Sequence, residues 1–320
     1  MIDVEKLKSG DRRTLAKAIT LIESSKDEDQ EKAHILLKKV LGTGEKSYRL
    51  GITGSPGVGK STFIENLGQY LISKNYKVAV LAIDPSSPTS GGSILGDKTR
   101  MEKLSVEENA FIRPSPTSGT LGGVAEKTRE AVVLCEAAGF DFIIIETVGV
   151  GQSEYEVASM VDFFLLLILP SGGDELQGIK KGILEMADSI IINKADGDNV
   201  NLAKQTQAQY QSALQITTNS SFWKTEVLTQ SSLTTSGLDT LYAMLMNFKN
   251  ISELNHSWKT KRQKQNLDWF NNLIKEFIFA KIQSDNKTNK RYLELTEQIR
   301  NEKTTSIEAA YEIAKTLSKN

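Results

Sequence analysis

The feature that most narrows what this chain can fold into is the segment Gly54-Ser55-Pro56-Gly57-Val58-Gly59-Lys60-Ser61, which satisfies G-x-x-x-x-G-K-[ST] at every fixed position. An apolar run, Tyr48 to Ile52, leads into it, and a helix-like stretch, Thr62 to Ile72, leads out. Strand, glycine-rich loop and helix form the setting in which such a loop cradles phosphates. Glycines let several backbone N–H groups turn inward, and the helix N-terminus adds a partial positive charge. In that setting Lys60 reaches the β- and γ-phosphates, the Ser61 hydroxyl ligates Mg²⁺, and Thr62 follows in the first helical turn. The competing explanation is a glycine-rich turn with a stray lysine.

The rest of the chain repeats the alternation. Short β-rich runs occur at Arg49–Thr53, Val78–Ile83, Ala110–Arg113, Phe142–Glu146, Phe163–Leu169, Ser189–Asn193 and Glu226–Thr229, separated by helical stretches. Several are apolar on both faces, as a parallel sheet covered by helices requires. The expected fold is therefore an α/β P-loop NTPase with a mostly parallel central sheet and ligands at the carboxyl ends of its strands. Three parts are expected: an N-terminal helical extension over 1–45, a G domain over 46–250 and a C-terminal helical arm over 251–320. The six prolines all lie between Pro56 and Pro170, and no glycine follows Gly237, so the arm lacks strong breakers. Its stripe of Trp258, Leu267, Trp269, Phe270, Leu273, Ile274, Phe277 and Ile278 fits packing onto its own domain or against a second copy equally well. A formal net charge of −1 argues against a protein organised around nucleic acid. The longest strongly apolar run, Phe163 to Leu169, is shorter than the ~20 residues a membrane helix needs, and the N-terminus shows no signal-peptide pattern. A single cysteine, Cys135, fits a reducing, cytoplasmic setting, and its apolar neighbours suggest a buried role.

Asn193-Lys194-Ala195-Asp196 follows the apolar run Ile190–Ile192 and has the N-K-x-D pattern. A carboxylate at Asp196 accepts hydrogen bonds from N1–H and the 2-amino group of guanine, a donor pair that adenine lacks. Lys194 lies along the purine face, and Asn193 ties the loop to the phosphate site. The alternative is a polar turn in which Asp196 or Asp198 caps a helix. Ser231-Ser232-Leu233 stands where a backbone N–H meets the guanine carbonyl, or is an ordinary serine-rich turn. The strand Phe142–Glu146 ends in a carboxylate followed three residues later by Gly149, whose N–H is suited to the γ-phosphate; most GTPases carry Asp where Glu146 stands. Asp84 and Asp97 are further carboxylates for Mg²⁺, or helix caps.

These residues resemble the MeaB family, the methylmalonyl-CoA mutase-associated GTPase chaperones, also called ArgK-type transport ATPases. The resemblance is carried by Asp84-Pro85-Ser86-Ser87-Pro88, the stretch Gly91 to Met101, Arg113-Pro114-Ser115-Pro116 with Gly119 to Gly123, Glu146 to Glu154, and Gly173 to Gly182. It implies GTP or GDP with Mg²⁺ held at the positions of Asp84, Asp97 and Glu146, and no directly bound cobalamin. It implies a homodimer joined by its C-terminal helices. It also implies a cobalamin-dependent acyl-CoA mutase as partner, with its adenosyltransferase, and a role in gating adenosylcobalamin loading and in protecting or reactivating the mutase by helping to remove damaged cofactor. Within Gly172–Lys181, Asp174, Gln177 and Lys180 fall on the family's coupling positions. From the residues alone, the preferred reading of that segment is a loop followed by a helix starting near Asp174, with Lys180 and Lys181 in solvent. The expected reaction is hydrolysis of GTP to GDP and phosphate, slow in isolation because Val150, not Gln, follows Gly149. Three rivals remain, one of them a non-enzymatic nucleotide-gated scaffold, since binding and hydrolysis use the same residues; the other two share the fold. A nickel-type metal-insertion GTPase needs Cys and His ligands, and this chain has one Cys and only His34 and His256. A transport-linked ATPase or kinase is opposed by N-K-x-D.

Overall fold

Strand β1 (Tyr48–Gly54) is buried along nearly its whole length and forms the middle of the sheet. In the computed structural model it pairs in parallel with β4 (Phe142–Glu146) on one side and β5 (Phe163–Ile168) on the other. Beyond β4 lie β2 (Val78–Asp84) and β3 (Ala110–Pro116); beyond β5 lie β6 (Ser189–Ile192) and β7 (Glu226–Thr229). The order β3-β2-β4-β1-β5-β6-β7 is parallel throughout, and each strand falls on one of the β-rich runs of the sequence. The structure describes residues 2–42, 46–84, 101–116, 121–147, 153–170, 181–217 and 222–317.

Two-residue alternation along the strands sorts side chains to opposite faces. Ala79, Leu81, Ile143, Ile145 and Phe164 join one core with α1 (Val4–Lys8), α2 (Arg12–Glu23), α3 (Asp27–Val40), α6 (Leu121–Ala137) and α7 (Ser153–Ala158). The N-terminal helices thus cover one face of the sheet. Each of the first two starts on an aspartate cap: Asp3 accepts from Lys6 N at 3.1 Å, and Asp11 from Thr14 N at 2.7 Å. The opposite residues, Val78, Val80, Ile144, Phe163 and Leu165, pack against α4 (Lys60–Ser73), α5 (Glu102–Val106) and α10 (Leu238–Leu254). A third core joins β5 to β7 with α8 (Lys181–Met186) and α9 (Val200–Thr217). Cys135 lies fully buried in the first of these cores, and burial pushes its thiol far above the ordinary value, so it behaves as a small hydrophobe.

One buried ion pair anchors the middle strand. Arg49 Nε and Nη2 each donate to a carboxylate oxygen of Glu136 at 2.8 Å, while Arg49 N donates to Asp162 Oδ2 at 2.8 Å. The bidentate geometry offsets the desolvation of both charges.

The chain divides into two compact units, Met1–Trp258 and Lys259–Asn320. The second consists of most of α11 (Ser257–Ser284) followed by α12 (Asn286–Arg300) and α13 (Ser306–Leu317). Ile282, Leu295, Ala309 and Ile313 form its small core, and Arg291 clasps Glu312 through Nε at 2.6 Å and Nη2 at 3.0 Å. Along α11, Leu267, Phe270, Ile274, Phe277 and Ile278 are exposed on a helical stripe. Among the described residues, no helix is long and apolar enough to cross a membrane.

Candidate nucleotide site

The loop after β1 sits where the chain order across the sheet reverses, between β4 and β5, the position at which open α/β sheets bind ligands. Its conformation depends on glycine. Gly57 and Gly59 have φ of 80° and 94°, and Gly59 is the residue before the first turn of α4. That first turn holds no acidic residue of its own. Lys60 Nζ donates back to Gly54 O at 2.6 Å and Ser55 O at 3.2 Å, which holds the ammonium over the loop. Burial lowers the Lys60 pKa, and the charges of Glu146 and Glu154 pull it partly back. Val58 is fully buried beneath the loop, whereas Pro56, Gly57 and Thr62 face outward.

Ser61 Oγ donates to Glu146 Oε1 at 3.2 Å, joining the start of α4 to the end of β4. Glu146 is 9% exposed. The chain beyond it is tied to the end of β1 by Thr147 N to Ile52 O at 3.0 Å and Thr147 Oγ1 to Thr53 Oγ1 at 2.8 Å. A hydroxyl beside a carboxylate is a hard-oxygen pair that fits Mg²⁺. Asp84 ends β2, two residues beyond the Ala82 that pairs with Glu146, so its backbone reaches the same edge of the sheet. Asp97, Gly149, Asp174, Gln177 and Lys180 lie outside the described residues.

The N-K-x-D segment follows β6 directly. Asn193 is fully buried and donates from Nδ2 to Val58 O at 2.9 Å. A Cβ on Gly59 would stand 3.0 Å from that nitrogen, so glycine there allows the two loops to meet. Lys194, at φ 56°, donates to Gly57 O at 2.8 Å, which lays its aliphatic stem beside the phosphate loop. Asp196 precedes the short 3₁₀ turn Gly197–Asn199 but makes no side-chain cap; its Oδ2 accepts from Ser231 Oγ at 2.5 Å. The helix-cap alternative for Asp196 therefore does not describe this structure.

The 231–233 segment is also built rather than loose. Ser231 N donates to Ser236 O at 3.2 Å, and Ser231 Oγ accepts from Leu233 N at 3.2 Å and Thr234 N at 3.1 Å. Ser232 Oγ donates to Asn193 Oδ1 at 3.0 Å. These bonds occupy the N–H groups of Ser231 and Leu233, leaving that of Ser232 without a partner among the described residues. Asn66, on α4, donates to Ser232 O at 2.6 Å, a contact that no motif in the sequence signals.

The family described as "Methylmalonyl Co-A mutase-associated GTPase MeaB" matches residues 15–287. A putative GTPase of Caulobacter vibrioides is 53% identical over 272 residues, covering 85% of this chain and 83% of the relative. GTPase ArgK of Escherichia coli is 45% identical over 93% of this chain and 90% of its own length. The mouse protein named methylmalonic aciduria type A homolog, mitochondrial, is 49% identical over 85% of this chain and 68% of its own length. Among solved structures, the crystal structure of a LAO/AO transport system kinase superposes with a TM-score of 0.79 at 36% identity, covering 98% of this chain and 96% of that one. Likeness of this extent, running through the phosphate loop and the N-K-x-D segment alike, places the chain in the MeaB family and makes it a GTPase.

Proposed function

We propose that this GTPase is a nucleotide-gated chaperone of a cobalamin-dependent acyl-CoA mutase, with methylmalonyl-CoA mutase as the preferred client. In this reading it works in the cytoplasm, gates adenosylcobalamin delivery from an adenosyltransferase, and itself binds no cobalamin. Two findings support the client: the description of the matching family, and the name of the mouse relative. The observation that carries the nucleotide half is the Asp196 carboxylate, oriented by Ser231 in a loop that Asn193 fastens to the phosphate loop.

In this reading the chain's residues divide the work. The backbone N–H groups between Gly54 and Thr62, other than at Pro56, which has none, surround the phosphates, and Lys60 leaves its two carbonyl partners for the β- and γ-phosphate oxygens. Ser61, Asp84, Asp97 and Glu146 hold Mg²⁺, which supplies charge neutralisation on the phosphates. Gly149 donates to the γ-phosphate. Asn193, Lys194 and Asp196, with Ser231, Ser232 and Leu233, receive guanine. Asp174, Gln177 and Lys180 couple client binding to hydrolysis, and the rate without a client is low. The exposed apolar stripe of α11 supports a homodimer.

The test is co-purification with methylmalonyl-CoA mutase, together with GTP turnover measured with and without it. Retention on the mutase and faster turnover are expected. A turnover that is fast alone and unchanged by the mutase refutes the reading. ATP hydrolysed in preference to GTP returns the chain to the transport-ATPase alternative.

A further inference from the structure

We infer that Asn66 is a positioning residue for guanine recognition, holding Ser232 so that its N–H meets the exocyclic oxygen of the base. The inference deepens the proposed base site and rests on it. Asn66 stands on α4, the helix that begins at Lys60, and is half-buried. Its Nδ2 donates to Ser232 O at 2.6 Å. From the other side, Ser232 Oγ is held by Asn193 Oδ1 at 3.0 Å, and Asn193 in turn holds Val58 O at 2.9 Å. One step back, Ser231 is fixed by its N–H to Ser236 O and by its hydroxyl to Asp196.

The peptide between Ser231 and Ser232 is thus clamped at both ends, and the N–H it carries, that of Ser232, has no partner among the described residues. On a half-buried residue, an N–H held in place yet unpaired is suited to a ligand acceptor. Its neighbour Asp196 is an acceptor for the base's N1–H and 2-amino group. The acceptor that remains on that edge of guanine is O6. Without Asn66, Ser232 keeps its hydroxyl tether but loses the one on its carbonyl, and the N–H samples a wider range of directions.

The test is calorimetric titration of GDP, IDP and 6-thio-GDP in magnesium buffer. The proteins are wild type, Asn66→Ala, Asn66→Asp and Asp196→Asn. Asn66→Asp keeps the volume and cannot donate, so it carries the comparison if the alanine variant folds poorly. Both Asn66 variants are expected to weaken GDP and IDP, which share the O6 acceptor, by about threefold to tenfold, the range of one neutral hydrogen bond. Binding of 6-thio-GDP, whose sulfur is a poor acceptor, should change much less, so the ratio of GDP to 6-thio-GDP affinity narrows. Equal weakening of all three ligands, or of none, overturns the role of Asn66. If Asp196→Asn leaves GDP affinity unaltered, the base site itself is misassigned, and the inference falls with it for that separate reason.

Discussion

Replacing Ser231 with alanine isolates the contact on which guanine selectivity rests in the proposed base site. The hydroxyl donates to Asp196 Oδ2 at 2.5 Å and accepts from the N–H groups of Leu233 and Thr234 at 3.2 and 3.1 Å. The two amides sit in an exposed turn, where Leu233 is 81% exposed, so water replaces the lost acceptor at small cost. The carboxylate is different. Half-exposed and released from its one side-chain donor among the described residues, Asp196 gains rotamer freedom that binding of the base in the proposed site must remove again. A hydrogen bond to a charged group contributes about 1.5–3 kcal/mol, and partial replacement by water reduces this to about 1–2 kcal/mol. Ser231→Ala is therefore expected to weaken GDP binding by about 5- to 30-fold. Binding of ADP, which offers Asp196 no matching donors, should hardly change. Titration of both nucleotides in magnesium buffer reads the two effects side by side. A GDP affinity within twofold of wild type, or equal weakening of GDP and ADP, would show that the Ser231–Asp196 contact does not serve the base.

Lys60→Ala is expected to lower GTP turnover by about 10²–10³-fold, the scale of one lost charge-stabilising donor, and unaltered turnover would remove the phosphate-loop assignment. Because burial lowers the Lys60 pKa, the folded protein sheds that proton at lower pH than the unfolded chain does. The cost of burying the charge is present at neutral pH and is relieved as pH rises through the lowered value, whereas phosphate binding needs the charge. GDP affinity should therefore decline on the alkaline side below the ordinary lysine value of 10.5, and Lys60→Arg should flatten the decline; a flat wild-type profile contradicts this. Gly54 has φ of 153°, and a Cβ there would lie 2.5 Å from the Leu167 carbonyl of the neighbouring strand, so Gly54→Ala should destabilise by about 2–4 kcal/mol, read as a lowered melting temperature. If the proposed homodimer forms through α11, the wild type should sediment as a dimer and Phe277→Glu, on its exposed stripe, as a monomer with helix content intact; a monomeric wild type removes the dimer, and an undisturbed dimer places the interface elsewhere.

Much of the fold and part of the site are written locally. Gly54 to Ser61 between an apolar run and a helical one specifies strand, loop and helix, because glycine torsions and hydrophobic period are properties of neighbouring residues. The same holds for the seven β-rich runs and for Asn193-Lys194-Ala195-Asp196, whose placement after Ile190–Ile192 announces a loop at a strand end. What no local pattern reveals is which distant groups meet. The order β3-β2-β4-β1-β5-β6-β7 decides that the ends of β1, β4, β6 and β7 share one edge. Only then does Ser61 find Glu146, Asn193 find Val58, and Ser231 find Asp196. Asn66 is the clearest case: in sequence it is an unremarked polar residue of an amphipathic helix, and it acquires a role because packing of α4 brings it 2.6 Å from a carbonyl far along the chain. Contacts between residues so distant in sequence depend on burial and sheet register, which arise only when the whole chain is folded.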